Sequence, residues 1–373
     1  MNEGGMAMAS VKQRPDGKWR ARYRDDAGKE HARHFALKRD AQRWLDEVTT
    51  AVVTGTYVDP KAGSLTWDAF TTSWMNDQVW AQGTLDAAET AVKSVPWRDK
   101  QLKAISHAQV KGWIAAEQKR GLAASTIATR LSYVQMAFRY AVKTKRISES
   151  PAVDVKAPRQ RRAESAMVIL PAESIPAVLE HAGDFRMFVE VCLFAGLRLG
   201  EAAGLQLGDV DFMRRSIQVA RQIQGATHKT AKPVPPKAGS ERTIFIPDEL
   251  ALRLSAYVAA LKITGPEEYL FLTPLNKLYQ RSNAGAEFRR VRAAAKLPDD
   301  VTLHTLRHTY ASNLIASGCD VVTVQRALGH STPSITLNVY SHLWPSAEDK
   351  TRAATASFME TVKGLSDAET LPA

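Results

Sequence analysis

His304-Thr305-Leu306-Arg307-His308, then Leu328-Gly329-His330, then Val339-Tyr340-Ser341-His342 close a segment that mixes two periodicities, and they decide how the chain is read. His304 and Arg307 stand one helical turn apart, so both side chains can reach one pocket. Tyr340 follows His330 by ten residues. The surrounding segment, about 172–360, alternates helical stripes with short period-two runs. Helices are expected over 172–182, 185–205, 247–262, 283–296, 305–317 and 320–328. Strand alternation runs through Ile217, Val219, Arg221 and Ile223, and again over 242–246. The expected fold there is mixed α+β, mainly α, with a small antiparallel sheet. Two further stretches lie inside it: Phe194-Ala195-Gly196-Leu197-Arg198-Leu199-Gly200-Glu201, and Lys237-Ala238-Gly239-Ser240-Glu241-Arg242.

Working outward, residues 151–171 carry Pro151, Pro158 and the cluster Lys156, Arg159, Arg161 and Arg162, with no acid between Lys156 and Arg162. Proline-studded and basic, this reads as a tether able to lie along a phosphate backbone. Before it, 64–150 reads as all-helical, to about residue 148. Its clearest helix starts near Ser125 and sets Ile127, Leu131, Val134, Phe138 and Ala141 in one apolar stripe. Arg139, Lys143 and Arg146 share another face, either a phosphate-contacting surface or an ordinary solvated one.

Residues 55–64 (GTYVDPKAGS) read as a second linker. Ahead of it, residues 10–45 hold eleven basic residues against five acids. Pro15-Asp16-Gly17 and Asp26-Ala27-Gly28 are turn signals flanking a strand in which Trp19, Ala21 and Tyr23 alternate with Arg20, Arg22 and Arg24. Period two sends the guanidiniums to one sheet face and the rings to the other. A short strand over 31–35 and a helix over 38–54 follow. With no carboxylate expected opposite the three arginines, that face suits phosphate contact better than the plain alternative, a solvated charged face.

The 373 residues contain 50 Lys and Arg against 39 Asp and Glu, a formal charge of +11. Such an excess on a folded chain favours a polyanionic partner, nucleic acid or an anionic membrane. The membrane reading fails: the most apolar stretch, 187–199, is interrupted by Glu190 and Arg198 and is shorter than the ~20 residues a span needs. No apolar run resembling a signal peptide opens the chain. Cys192 and Cys319 are too few for a disulfide framework or a four-thiolate zinc site. Buried free thiols in a reducing, cytoplasmic setting are expected.

Taken in order, the four stretches from Phe194 to Tyr340 resemble the tyrosine recombinase family, in particular phage-type, actinobacterial-like integrases. The likeness extends to the layout of the chain. It implies an arm-type DNA-binding domain over 1–60, a helical, SAM-like core-binding domain over 64–150, a catalytic domain over 165–360 and a tail over 361–373. By the same resemblance Arg198 and Arg307 clamp a scissile phosphate, with Glu201 supporting them. His304 is a general acid or base, and His330 donates a hydrogen bond to the phosphate. Lys237, ahead of Lys232 as the choice, protonates the departing 5′ oxygen. Tyr340 is the nucleophile.

Elementary chemistry agrees with these assignments. A DNA phosphodiester repels nucleophiles and has a poor alkoxide leaving group, so positive charge must meet the transition-state oxygens. Arginine suits this, being permanently charged and forked. The alternative for each arginine is a buried salt bridge. His304 and His308, at i and i+4, could instead suit a metal, but no third ligand is evident and no metal is expected. A phenol with a reference pKa of ~10 needs neighbouring cations and a base to attack at neutral pH. Core packing is the plain alternative for Tyr340, and Tyr310 and Tyr279 are its competitors.

The resemblance therefore implies cleavage and rejoining of double-stranded DNA through a 3′-phosphotyrosyl link and a Holliday junction. Bond energy stays in the phosphotyrosine, so no cofactor is implied. The implied partners are core and arm attachment sites, a homotetramer on DNA, a host DNA-bending protein and an excision cofactor, in a nucleoid-associated setting. A type IB topoisomerase-like relaxer and a non-catalytic DNA-binding regulator of the same fold are the alternatives.

Overall fold

The computed structural model describes residues 9–24, 28–53, 62–159, 167–225, 227–236, 240–344 and 347–369, and the chain divides into two units, Met1–Ser165 and Ala166–Ala373. The first unit opens with β1 (Ser10–Gln13), β2 (Trp19–Arg24) and β3 (Glu30–Phe35), an antiparallel sheet with β2 in the centre, followed by α1 (Lys38–Val53). Register puts Lys12 and His34 on either side of Arg20, and Ser10 and Ala32 on either side of Arg22. The opposite face carries Ala21 and Tyr23, buried with Ala41 and Leu45 of α1. The alternation is as expected, with one difference. Glu30 lies across from Arg24 and its carboxylate takes Arg20 at 3.1 Å and Arg22 at 3.5 Å. The arginine face does have a carboxylate, supplied by the next strand.

Among the described residues of this unit the α-helices α2 (Trp67–Asn76), α3 (Gln82–Lys93), α4 (His107–Lys119) and α5 (Ala124–Lys143) follow. The stripe Ile127, Leu131, Val134, Phe138 and Ala141 is buried on α5. It meets a ring cluster in which Trp67 sits 4.6 Å from Phe138 and edge-on to Trp97. α5 ends at Lys143, short of the helical limit expected near residue 148, because Lys145 takes a left-handed φ of 52° and turns the chain. Arg146 therefore lies beyond the helix, off the face shared by Arg139 and Lys143.

The second unit begins with α6 (Ile175–His181), α7 (Arg186–Phe194) and α8 (Leu199–Ala203). The run 185–205 is thus two helices rather than one. Gly196 breaks it at φ +64°, a conformation that suits glycine. A Cβ there would stand 2.3 Å from the Tyr310 ring, so the same glycine also admits that ring. α7 is buried almost all round. Glu190 within it is fully covered and accepts hydrogen bonds from Arg186 at 2.8 Å and Arg253 at 3.0 Å.

β4 (Val210–Asp211), β5 (Ser216–Val219), β6 (Gln222–Gln224), β7 (Lys232–Val234) and β8 (Arg242–Phe245) come next. β4, β5 and β8 form one antiparallel sheet in that order; β6 and β7 form another. The alternation from Ile217 to Ile223 is divided between the two sheets at Arg221, which turns to an ion pair with Asp209. The unit continues through α9 (Asp248–Ala260), α10 (Arg281–Ala294), α11 (Leu303–Ala316), α12 (Val321–Leu328), α13 (Pro333–Tyr340) and α14 (Ala347–Glu369). α11 packs on α7, and α12 packs on α13. Cys192 is buried as expected, whereas Cys319 is only half-buried; both are free thiols. Among the described residues, no helix is long and apolar enough to cross a membrane.

Candidate active site

Three guanidiniums converge on one buried carboxylate, Glu201 of α8. The break at Gly196 makes Arg198 the residue that opens α8. From there its Nη1 reaches Glu201 Oε1 at 2.6 Å and its backbone N–H reaches Oε2 at 2.9 Å. Arg242, at the start of β8, donates Nη2 to Glu201 Oε2 at 2.8 Å. Arg307 of α11 brings Nη1 to 3.9 Å of the same oxygen. Burial acts to push the Glu201 carboxyl up, but the hydrogen bonds and charge of Arg242, then the charges of Arg307 and Arg198, hold it down at about 2. Three cations on one carboxylate leave the pocket two positive charges in excess, which an anion can neutralise.

The arginines also grip the turn that follows α12. Arg307 donates Nη2 to the Leu328 carbonyl and Nη1 to the Gly196 carbonyl. Arg198 donates Nη2 to the Gly329 carbonyl at 3.2 Å, and Arg242 donates Nε to the Ala327 carbonyl at 2.9 Å. Gly329 ends α12 at φ +61°, and a Cβ on it would meet Arg242 at 2.8 Å. That left-handed cap delivers His330, whose Nδ1 lies 2.9 Å from Thr336 Oγ1 on α13. Burial, then the charges of Arg307, Arg198, Arg242 and His304, push His330 down to about 4.

Tyr340 ends α13 and is 1% exposed. Its hydroxyl lies 2.7 Å from His308 Nδ1. Burial raises the phenol to about 12, against the opposing charges of Arg307 and Arg198. His304 sits on the exposed edge of α11, its ring 4.5 Å from that of His308. Partial desolvation, then Arg307 and Arg198, lower its pKa. Among the described residues, no cluster of three or more His, Cys, Asp or Glu is spaced to hold a metal ion.

The structure thus gathers Arg198, His304, Arg307, His330 and Tyr340 in one unit and adds two residues that the sequence reading did not assign. Arg242 closes the Lys237-to-Arg242 stretch, and its local sequence marks no role for it. The signal for it was Glu201, since a buried carboxylate demands cations from elsewhere in the fold. His308, at i+4 from His304, presents itself in the sequence only as a metal ligand. Lys237 lies outside the described residues, as do Arg161 and Arg162; Lys232 is exposed on β7. Arg24, Arg139, Lys143, Arg146 and Arg159 are exposed. The competing tyrosines are engaged elsewhere: Tyr279 packs on Phe185 and Phe188, and Tyr310 lies against Gly196.

Residues 170–346 match the Phage integrase family, and residues 8–54 match the Phage integrase N-terminal domain; together they take in more than half of the chain. The "Tyrosine recombinase XerC-like" protein of Caldanaerobacter subterraneus subsp. tengcongensis is 26% identical over 279 residues, 68% of this chain and 71% of its own. The "Tyrosine recombinase XerC" of Mycobacterium sp. (strain KMS) is 28% identical over 249 residues, 63% of this chain and 77% of its own. Among solved structures, the Tn1549 transposon integrase in complex with a circular intermediate DNA superposes with a TM-score of 0.69 at 21% identity, covering 79% of this chain and all of that one. A lambda integrase tetramer bound to a Holliday junction gives 0.57 at 17%, covering 90% and 94%. At these identities the two structures speak to the fold.

Proposed function

The chain belongs to the Phage integrase family and is a site-specific DNA recombinase of the tyrosine type; on that premise we propose that Tyr340 attacks a scissile phosphate held by Arg198 and Arg307. The observation that carries this reading is that both arginines bond the Leu328–Gly329 turn, which leads through His330 to α13 and its terminal Tyr340. Attack forms a 3′-phosphotyrosyl link and frees a 5′ hydroxyl, with Lys237 as the proton donor to the leaving oxygen. His304 serves as an acid or base near the phosphate, and His330, fixed by Thr336, donates a hydrogen bond to it. The 5′ hydroxyl of a partner strand then reverses the step, and a second pair of exchanges resolves a Holliday junction. No outside energy source enters.

In this reading the protein integrates and excises a mobile element or phage genome as a homotetramer, with a host DNA-bending protein and an excision cofactor as partners. The lambda integrase tetramer on a Holliday junction, which shares the fold, supports that assembly. Strand exchange between two differently labelled attachment-site duplexes tests it. Hybrid strands should form without ATP. Relaxation of supercoiled DNA with every strand resealed to itself would favour the topoisomerase reading instead.

Residues 1–60 form the arm-site module in this proposal, 64–150 the core-binding domain, 165–360 the catalytic domain and 361–373 the tail. Core-site contacts fall to Arg139, Lys143, Arg146, Arg159, Arg161 and Arg162. Lys12, Arg20, Arg22, Arg24 and His34 share a sheet face with the single acid Glu30, so that face stays positive. Replacing Arg20, Arg22 and Arg24 together by Gln in the full chain should abolish binding to arm-site DNA and spare core-site cleavage. Glutamine avoids setting new carboxylates against Glu30. The slope of log affinity against log salt should flatten by about 0.9 for each phosphate that is no longer neutralised. Unchanged arm-site affinity in a salt titration would remove this face from the interface.

A further inference from the structure

Among the described residues, one side chain hydrogen-bonds the oxygen assigned to attack, and it is His308. Its Nδ1 stands 2.7 Å from the Tyr340 hydroxyl, with the two rings 5.6 Å apart and inclined at 61°. His304, one turn earlier on α11, meets the His308 ring edge to face. α11 also places His308 directly after Arg307, so a proton acceptor and a phosphate-binding cation ride on one rigid element.

We propose, resting on the reading of Tyr340 as nucleophile, that His308 is the base that takes the Tyr340 proton during DNA cleavage and returns it during rejoining. As the phenolic oxygen bonds to phosphorus, its proton passes to His308 Nδ1. The bond from phosphorus to the 5′ oxygen breaks, and that oxygen leaves with a proton from the leaving-group acid. On rejoining, a 5′ hydroxyl gives up its proton to that same acid and attacks phosphorus. The phenolate departs and recovers its proton from the imidazolium.

The surroundings fit a base of this kind. Burial, then His304 and Arg307, push His308 down to about 4, so at neutral pH its ring is uncharged and one nitrogen offers a lone pair. In the tautomer that leaves Nδ1 unprotonated, the phenol donates to it across 2.7 Å. Phosphorus–oxygen bond formation acidifies the phenol and draws its proton off to the imidazole. A bound phosphate supplies negative charge opposite Arg307 and Arg198, and so relieves part of the field that now disfavours a protonated His308.

The test uses the full chain, a nicked duplex that traps the covalent complex, and the variants His308→Ala, His308→Gln and Tyr340→Phe. Both His308 variants should bind the duplex normally in a gel shift and form the covalent complex at least about 100-fold more slowly. Glutamine can still accept the phenol's hydrogen bond but cannot carry its proton. Free imidazole should restore much of the rate to His308→Ala, whose vacated space admits it, and none to His308→Gln. Cleavage near the wild-type rate by either variant overturns the proposal, as does a slow His308→Ala that imidazole leaves slow. Covalent capture by Tyr340→Phe would instead mean that the reading of the nucleophile itself is wrong.

Discussion

Tyr340→Phe is expected to leave no protein-linked DNA on a denaturing gel while the protein still shifts the same duplex. The substitution removes one oxygen and keeps the ring that fills the core formed with Ala311, Ile315, Val324 and Leu328. Its structural cost is the hydrogen bond to His308, worth about 0.5–1.5 kcal/mol net, too little to unfold a unit of this size. Loss of the covalent adduct with binding retained would therefore report chemistry rather than folding. A persistent adduct would move the nucleophile elsewhere. Tyr279 would have to leave its aromatic cluster to act, and Tyr310 would have to leave Gly196. The same gel decides against a non-catalytic regulator, since the unaltered chain must form the adduct that the variant lacks.

Much of this architecture was legible because it depends on period and chain order. The stripe on α5 and the alternation on β2 each follow from one element's own repeat, and both are buried as the repeat requires. The failures share a different cause, namely partners far away in sequence. Nothing local shows that Gly196 must accommodate the ring of Tyr310, so 185–205 reads as one helix and Arg198 as an interior residue of it. Glu30 sits beyond a turn from Arg20 and Arg22, and only strand register brings it to them. Arg146 has the spacing of Arg139 and Lys143, but the left-handed Lys145 takes it off the helix. Arg242 and His308 are defined as site residues by Glu201 and Tyr340, which stand 41 and 32 positions from them. Motif order could gather the familiar residues of the pocket. It could not show which groups hold those residues in place.

The two clamp arginines should separate when each is changed to lysine. Both variants are expected to cleave about 10²–10³-fold more slowly, because an ammonium keeps the charge but not the planar fork that meets two phosphate oxygens. Their stabilities should differ. The Arg198 side chain is 32% exposed, so lysine there can stay hydrated, and melting should be almost unchanged. Arg307 is 2% exposed and its two terminal nitrogens bridge the carbonyls of Gly196 and Leu328, tying the break before α8 to the end of α12. One ammonium cannot hold both carbonyls from that position. Leaving a buried carbonyl unpaired costs about 1–3 kcal/mol, which at roughly 2–4 °C per kcal/mol lowers the melting temperature by several degrees. Covalent-complex formation measured well below both transitions, beside a thermal melt of each protein, separates the two effects. Near wild-type cleavage by both variants would take the clamp out of the mechanism. If Arg307→Lys melted like the unaltered chain, the bridge between Gly196 and Leu328 would not be what holds this pocket together.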